Sequence, residues 1–114
     1  MLKAVETLDG GVTVASIEGR MTLGTNLMFL EGDLKKLIEA GSRKLVLNLA
    51  AVHTIDSAGL GVMIGLAGIL KKADGEIRLA HVPEKVREVL EIVKVQEVLP
   101  AHDSVESAAS SFLA

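Results

Sequence analysis

Apolar positions along the chain fall into short alternating or continuous runs, separated by longer stretches in which they recur every three or four residues. Lys3 to Leu8 alternates loosely and predicts a strand. Asp9-Gly10-Gly11 is a turn signal, and Val12 to Ile17 (VTVASI) predicts the second strand of a hairpin. Gly19 to Gly24 reads as a loop. From Thr25 or Asn26 onward, Leu27, Leu30, Leu34, Leu37 and Ile38 have helical spacing, with Gly41 as a natural stop. Lys44 to Leu49 (KLVLNL) is an apolar run suited to a strand covered on both faces, and Ala50 to Ile55 links it to a helix over Ser57 to Lys72. Ala73-Asp74-Gly75 ends that helix, and Glu76 to His81 predicts another strand. Pro83 opens a further helix at a position where its missing N–H costs nothing, with Val86, Val89, Leu90 and Val93 turned inward. A short strand is expected near Glu97 to Leu99. Asp103 and Glu106 have the spacing of a capping box that opens a last helix through Phe112.

The resulting order is β β α β α β α β α. A hairpin followed by alternating units implies an α/β fold with a mixed, mostly parallel sheet of about five strands, covered by about four helices. The sequence has no internal repeat and no linker-like segment, so its 114 residues are expected to form one domain, 1–114.

Composition narrows the function. Hydrophobic residues make up 49% of the chain, enough for a real core, and that core is aliphatic because Phe29 and Phe112 are the only aromatics. Single-strand nucleic-acid readers stack bases on aromatic rings, and duplex binders need a basic footprint. This chain has few rings, a formal charge of −3 and no Lys/Arg run longer than two, so no nucleic-acid partner is expected. The absence of Cys excludes disulfides and thiolate metal sites. Ala58 to Leu70 is the most apolar stretch, well short of the roughly 20 residues of a membrane helix. No signal-peptide pattern is seen at the N-terminus, and a cytoplasmic protein is expected.

The most informative segment is Ile55-Asp56-Ser57-Ala58-Gly59-Leu60-Gly61, between a buried strand and an apolar helix. Asp56 or Ser57 can cap that helix. A hydroxyl there faces unpaired backbone N–H groups and the positive end of the helix dipole, a place that accepts phosphate. At about 100° per residue, Ser57, Gly61, Gly65, Gly68 and Lys72 share one side, bordered by Leu60 and Ile64. Gly59, Val62, Met63, Leu66, Ile69 and Leu70 occupy the opposite arc, suited to burial. Each helical glycine costs about 0.5–1 kcal/mol relative to Ala, so three on one side imply close approach of a backbone. Two readings follow: close packing of this helix on its own sheet, or a smooth docking surface for a partner with Ser57 at its head. Ser57 is read as a plain cap or a modified residue, and Asp56 as a cap or as the group that orients the hydroxyl.

Other chemistry is poorly supported. Gly59, Gly61 and Gly65 miss the dinucleotide-binding spacing by one residue. His53, His81 and His102 lie on different segments without paired spacing, so no metal is expected. A hydrolase built on His53, Asp56 and Ser57 lacks the Gly-x-Ser-x-Gly elbow. Neither a cofactor nor a catalytic residue is expected.

The run LVLNLAAVHTIDSAGLGVMIG resembles the STAS domain family, and most closely its bacterial anti-sigma factor antagonists. The likeness covers the whole chain in element order and is most specific from Leu45 to Gly65. Asp56, Ser57, Gly59, Leu60 and Gly61 match the family's Asp-Ser-x-Gly-Leu-Gly turn, with Ser57 at the phosphoacceptor position. The resemblance implies the STAS fold and a regulatory protein without enzymatic activity. It also implies a partner that is both an anti-sigma factor and a GHKL-type serine kinase, and a PP2C-type phosphatase that resets the switch. Unphosphorylated protein would bind the anti-sigma factor and free the sigma factor; phosphorylation of Ser57 would release the complex. Gly19 begins a loop that in the family lies near this serine. Where family members often carry an acidic residue, this chain has Gly19-Arg20-Met21-Thr22. Helix wheel and resemblance together put Arg20, Thr22, Asp56, Ser57, Gly59, Leu60, Gly61, Ile64, Gly65 and Gly68 on the expected partner-binding surface. The alternative within the family is an unphosphorylated scaffold module of a sensory or lipid-transport complex, in which Ser57 only caps the helix.

Overall fold

The computed structural model describes residues 1–113. The chain runs β1 (Leu2–Leu8), β2 (Val12–Met21), α1 (Thr25–Glu39), β3 (Lys44–Ile55), α2 (Ser57–Lys72), β4 (Glu76–Ala80), α3 (Glu84–Val93), β5 (Ala101–His102) and α4 (Val105–Ser110), with a 3-10 turn over Ser111–Leu113. The five strands form one sheet in the order β1-β2-β3-β4-β5. The β1–β2 hairpin is antiparallel, and the other three pairings are parallel. This is the mixed α/β architecture that the element order predicts.

Alternation along the strands divides the core in two. Ala15, Ile17, Leu45, Leu47, Leu49, Ile77 and Leu79 pack with Leu30 and Leu34 of α1, Met63, Leu66 and Leu70 of α2, and Val86 and Leu90 of α3. The intervening residues Val12, Val14, Val46 and Ala80 form a smaller cluster with Ala108, flanked by Val105, Ala109 and Phe112. Thus three helices cover one face of the sheet and α4 covers part of the other.

Several boundaries differ from the sequence expectation. β2 continues through Gly19 and Arg20 to Met21, leaving only Thr22–Gly24 as loop. β3 continues through Ala50–Ile55 because parallel pairing extends there, with Glu18 opposite Ala51, Arg20 opposite Thr54 and Met21 opposite Ile55. Backbone pairing outweighs the polar composition of His53 and Thr54. The strand expected near Glu97–Leu99 is instead a turn closed by the Val98 and Leu99 amides on the Val95 carbonyl, and β5 forms two residues later. Pro83 caps α3 from outside rather than occupying its first turn. Ser104, not Asp103, caps α4, its side chain accepting from the Ser107 amide at 3.0 Å.

Two inward assignments are corrected. Ile69 is 39% exposed and Val93 is 45% exposed. On α2 the buried arc is rotated toward Leu60, which is 7% exposed, and away from Ile69. Among the described residues no helix is long and apolar enough to cross a membrane.

Candidate partner-binding site

β3 ends at Ile55 and delivers the chain directly into α2. Asp56 is the N-cap, with extended backbone, and its Oδ1 accepts the Gly59 amide at 2.9 Å. Its carbonyl accepts the Leu60 amide at 3.0 Å, starting the helical ladder. Capping is therefore done by Asp56. Ser57, the first helical residue, is exposed and relieved of that role. Its own amide lies among the first-turn N–H groups that have no intrahelical acceptor.

Asp56 makes a second bond that sequence spacing does not reveal. Its Oδ2 accepts the Leu23 amide at 2.9 Å, across 33 residues of chain. The Asp56 amide in turn donates to the Met21 carbonyl at 3.3 Å. The β2–α1 loop is thus fastened to the start of α2. Each carboxylate oxygen accepts one backbone amide, Oδ1 from Gly59 and Oδ2 from Leu23. Hydrogen bonds from Leu23 first, then Gly59, hold the Asp56 carboxyl below its ordinary value.

The predicted surface residues separate into two groups. Ser57, Gly61, Ile64, Gly65 and Gly68 are exposed along one side of α2. From Ser57 to Gly68 this side is about 16 Å long at 1.5 Å per residue. A Cβ built on Gly61, Gly65 or Gly68 would meet nothing within 4 Å, so packing on the protein's own sheet does not require these glycines. Gly59 and Leu60, by contrast, belong to the core rather than the surface. A Cβ on Gly59 would overlap the Met21 carbonyl oxygen and crowd Ile55, which explains that glycine by internal contact alone. Near its far end the glycine-lined side of α2 borders a groove of about 500 Å³, lined by Ile64, Gly68 and Lys71 on one flank and Arg78, Val98 and Pro100 on the other.

Arg20 is exposed and Thr22 half-buried; both line a groove of about 390 Å³ with Gly19 and Leu23–Asn26. Their link to the α2 site runs through Leu23 and Asp56. Leu23, Met28 and Phe29, which no sequence motif singles out, are 82%, 71% and 65% exposed. The available signal was a phase mismatch: Met28 and Phe29 are apolar but fall between the inward positions Leu27, Leu30 and Leu34 of α1.

The STAS domain family model matches residues 4–108, and the chain belongs to that family. Relatives named as bacterial anti-sigma factor antagonists are among those it is similar to. BtrV of Bordetella bronchiseptica, named as a candidate anti-sigma factor antagonist, is 34% identical over 112 residues, covering 98% of this chain and 95% of the relative. The anti-sigma-B factor antagonist of Staphylococcus aureus is 27% identical over 77 residues, 68% of this chain and 71% of the relative. Among solved structures, a candidate anti-sigma factor antagonist from Thermotoga maritima superposes with a TM-score of 0.85 at 21% identity, over 95% of this chain and 92% of that one. SpoIIAA of Bacillus shares the fold in both its unphosphorylated and phosphorylated forms, each with a TM-score of 0.72. Identities are 17% and 16%, covering 96% and 95% of this chain and 96% and 97% of those chains.

Proposed function

We propose that the protein is a cytoplasmic anti-sigma factor antagonist, acting by binding and without catalysis, and switched by phosphorylation of Ser57. The unphosphorylated form binds an anti-sigma factor of the GHKL kinase type and so frees the sigma factor. The kinase phosphorylates Ser57 and the complex dissociates, and a PP2C-type phosphatase restores the binding form. The observation that carries this reading is the placement of Ser57: exposed, at the first position of α2, freed from capping by Asp56, and heading a glycine-lined side of the helix. The full-length likeness to BtrV and the description of SpoIIAA in both phosphorylation states support it.

The physics favours a switch of this kind. A phosphoryl group adds about −1.5 to −2 charges and three strong acceptor oxygens. Placed at the head of a glycine-lined contact, it must be desolvated or the contact must open. The docking surface is read as Ser57, Gly61, Ile64, Gly65 and Gly68, with Arg20 and Thr22 on the adjoining loop side. Incubation with the anti-sigma kinase and ATP should add one phosphate by intact mass, and Ser57→Ala should abolish it. Continued labelling of the Ala variant would refute the assignment.

A further inference from the structure

We propose that Asp56 is a positioning residue that presents Leu23 as an apolar contact for the anti-sigma factor, alongside Ser57. This rests on the reading of Ser57 as the head of the docking surface and extends that surface onto the β2–α1 loop. Leu23 is the most exposed large apolar side chain among the described residues, at 82%. It sits in a three-residue loop, Thr22–Gly24, whose last residue has a φ of 155° and gives α1 no side-chain cap. What ties its middle residue is the 2.9 Å bond from the Leu23 amide to Asp56 Oδ2. That bond ends on the residue immediately before Ser57 and so brings the loop backbone next to the phosphoacceptor position. Met28 and Phe29, 71% and 65% exposed, lie in the first turns of the helix that follows. No charged residue occurs from Met21 to Leu30. A partner that meets Ser57 therefore finds an apolar segment beside it, bounded by Arg20 and the Asp56 carboxylate and suited to an apolar side-chain cluster on the anti-sigma factor. A loop held in the bound geometry before contact loses less freedom on binding than a loose one.

The two bonds of Asp56 can be separated. Serine is as good an N-cap as aspartate, but it has one oxygen for two donors. Asp56→Ser should keep the Gly59 cap and release Leu23. Amide hydrogen exchange by NMR should show faster exchange at Leu23 in Asp56→Ser, with the Gly59 amide still protected and the thermal midpoint near that of the parent. Binding is then measured with the purified anti-sigma factor, taking Ser57→Asp as the control for the switch itself. Asp56→Ser and Leu23→Ala should each weaken binding about tenfold, a typical loss for an apolar anchor. The double variant should also lose about tenfold rather than a hundredfold, because the two changes remove one contact. Unchanged exchange at Leu23 in Asp56→Ser overturns the proposal whatever the partner does. So does full binding by Leu23→Ala, or losses that multiply in the double variant. If Ser57→Asp binds like the parent while Leu23→Ala does not, the switch at Ser57 fails and the Leu23 contact stands.

Discussion

Asp56 and Gly59 stand in the relation of cap and capped, with Oδ1 to amide at 2.9 Å, while the other oxygen of the same carboxylate reaches Leu23 at 2.9 Å. One short side chain therefore fixes both the start of α2 and the loop that leads into α1. Aspartate suits this position because its two oxygens can accept from two amides that approach from different elements.

The same relation makes a pH signature. The Leu23 and Gly59 amides favour the ionised carboxyl, so its value in the folded protein lies below the ordinary 3.8. The unfolded chain then takes up the proton first as pH falls. The stabilisation from these bonds is fully present above pH 3.8 and is lost as pH drops through the depressed folded value. Denaturation of the parent and of Asp56→Asn across pH 2 to 7 should give curves that differ most near neutrality and converge in acid. A constant difference down to the lowest pH would show that the two amide bonds do not depend on charge.

Arg78 should matter for the far side of the sheet. Its Nε donates to Ser111 Oγ at 2.9 Å, its Nη1 donates to the Ile77 carbonyl at 2.9 Å, and its guanidinium lies 4.7 Å from the centre of the Phe112 ring. Its ion pair with Glu76 is to a side chain 61% exposed and adds little. Arg78→Ala should cost about 1–2 kcal/mol, from the lost hydrogen bonds and the cation–π contact. Hydrogen exchange should locate the loosening in α4 and leave α2 protected.

Gly59→Ala is expected to be the most damaging glycine substitution in α2. The added methyl meets the Met21 carbonyl and Ile55, neither of which is the free end of a flexible side chain. Overpacking of this kind costs about 1–3 kcal/mol, read as a lower urea midpoint with an unchanged m-value.

Much of this arrangement was legible in the sequence, for local reasons. The helical phase of Val62, Met63, Leu66 and Leu70 marked the buried side of α2, and all four are in the core. The Asp-Ser dipeptide before an apolar helix marked the cap and the exposed hydroxyl. What could not be read was non-local. Gly19–Met21 and Ala50–Ile55 carry no strand pattern of their own and are strands because they pair with each other. The Asp56–Leu23 bond joins residues 33 apart, and neither residue type announces the other. Ile69 and Val93 were apolar at plausible phases, but exposure there is decided by how far each helix is rolled on the sheet.

The three outward glycines offer the clearest separation of stability from binding. Gly61, Gly65 and Gly68 all lie within α2, and a Cβ at any of them would project into open space. Alanine at each therefore relieves backbone entropy without a clash and should raise stability by about 0.5–1 kcal/mol per site. If the glycine-lined side of α2 is where a partner's backbone comes close, each methyl should also weaken that partner's binding, most strongly at Gly61, one turn from Ser57. The expected outcome is an inverse relation: a higher denaturation midpoint with a weaker complex, measured on the same three variants. Higher stability with unchanged affinity would mean that the glycines serve no contact, and docking would then have to be carried by Ser57 and the loop beside it.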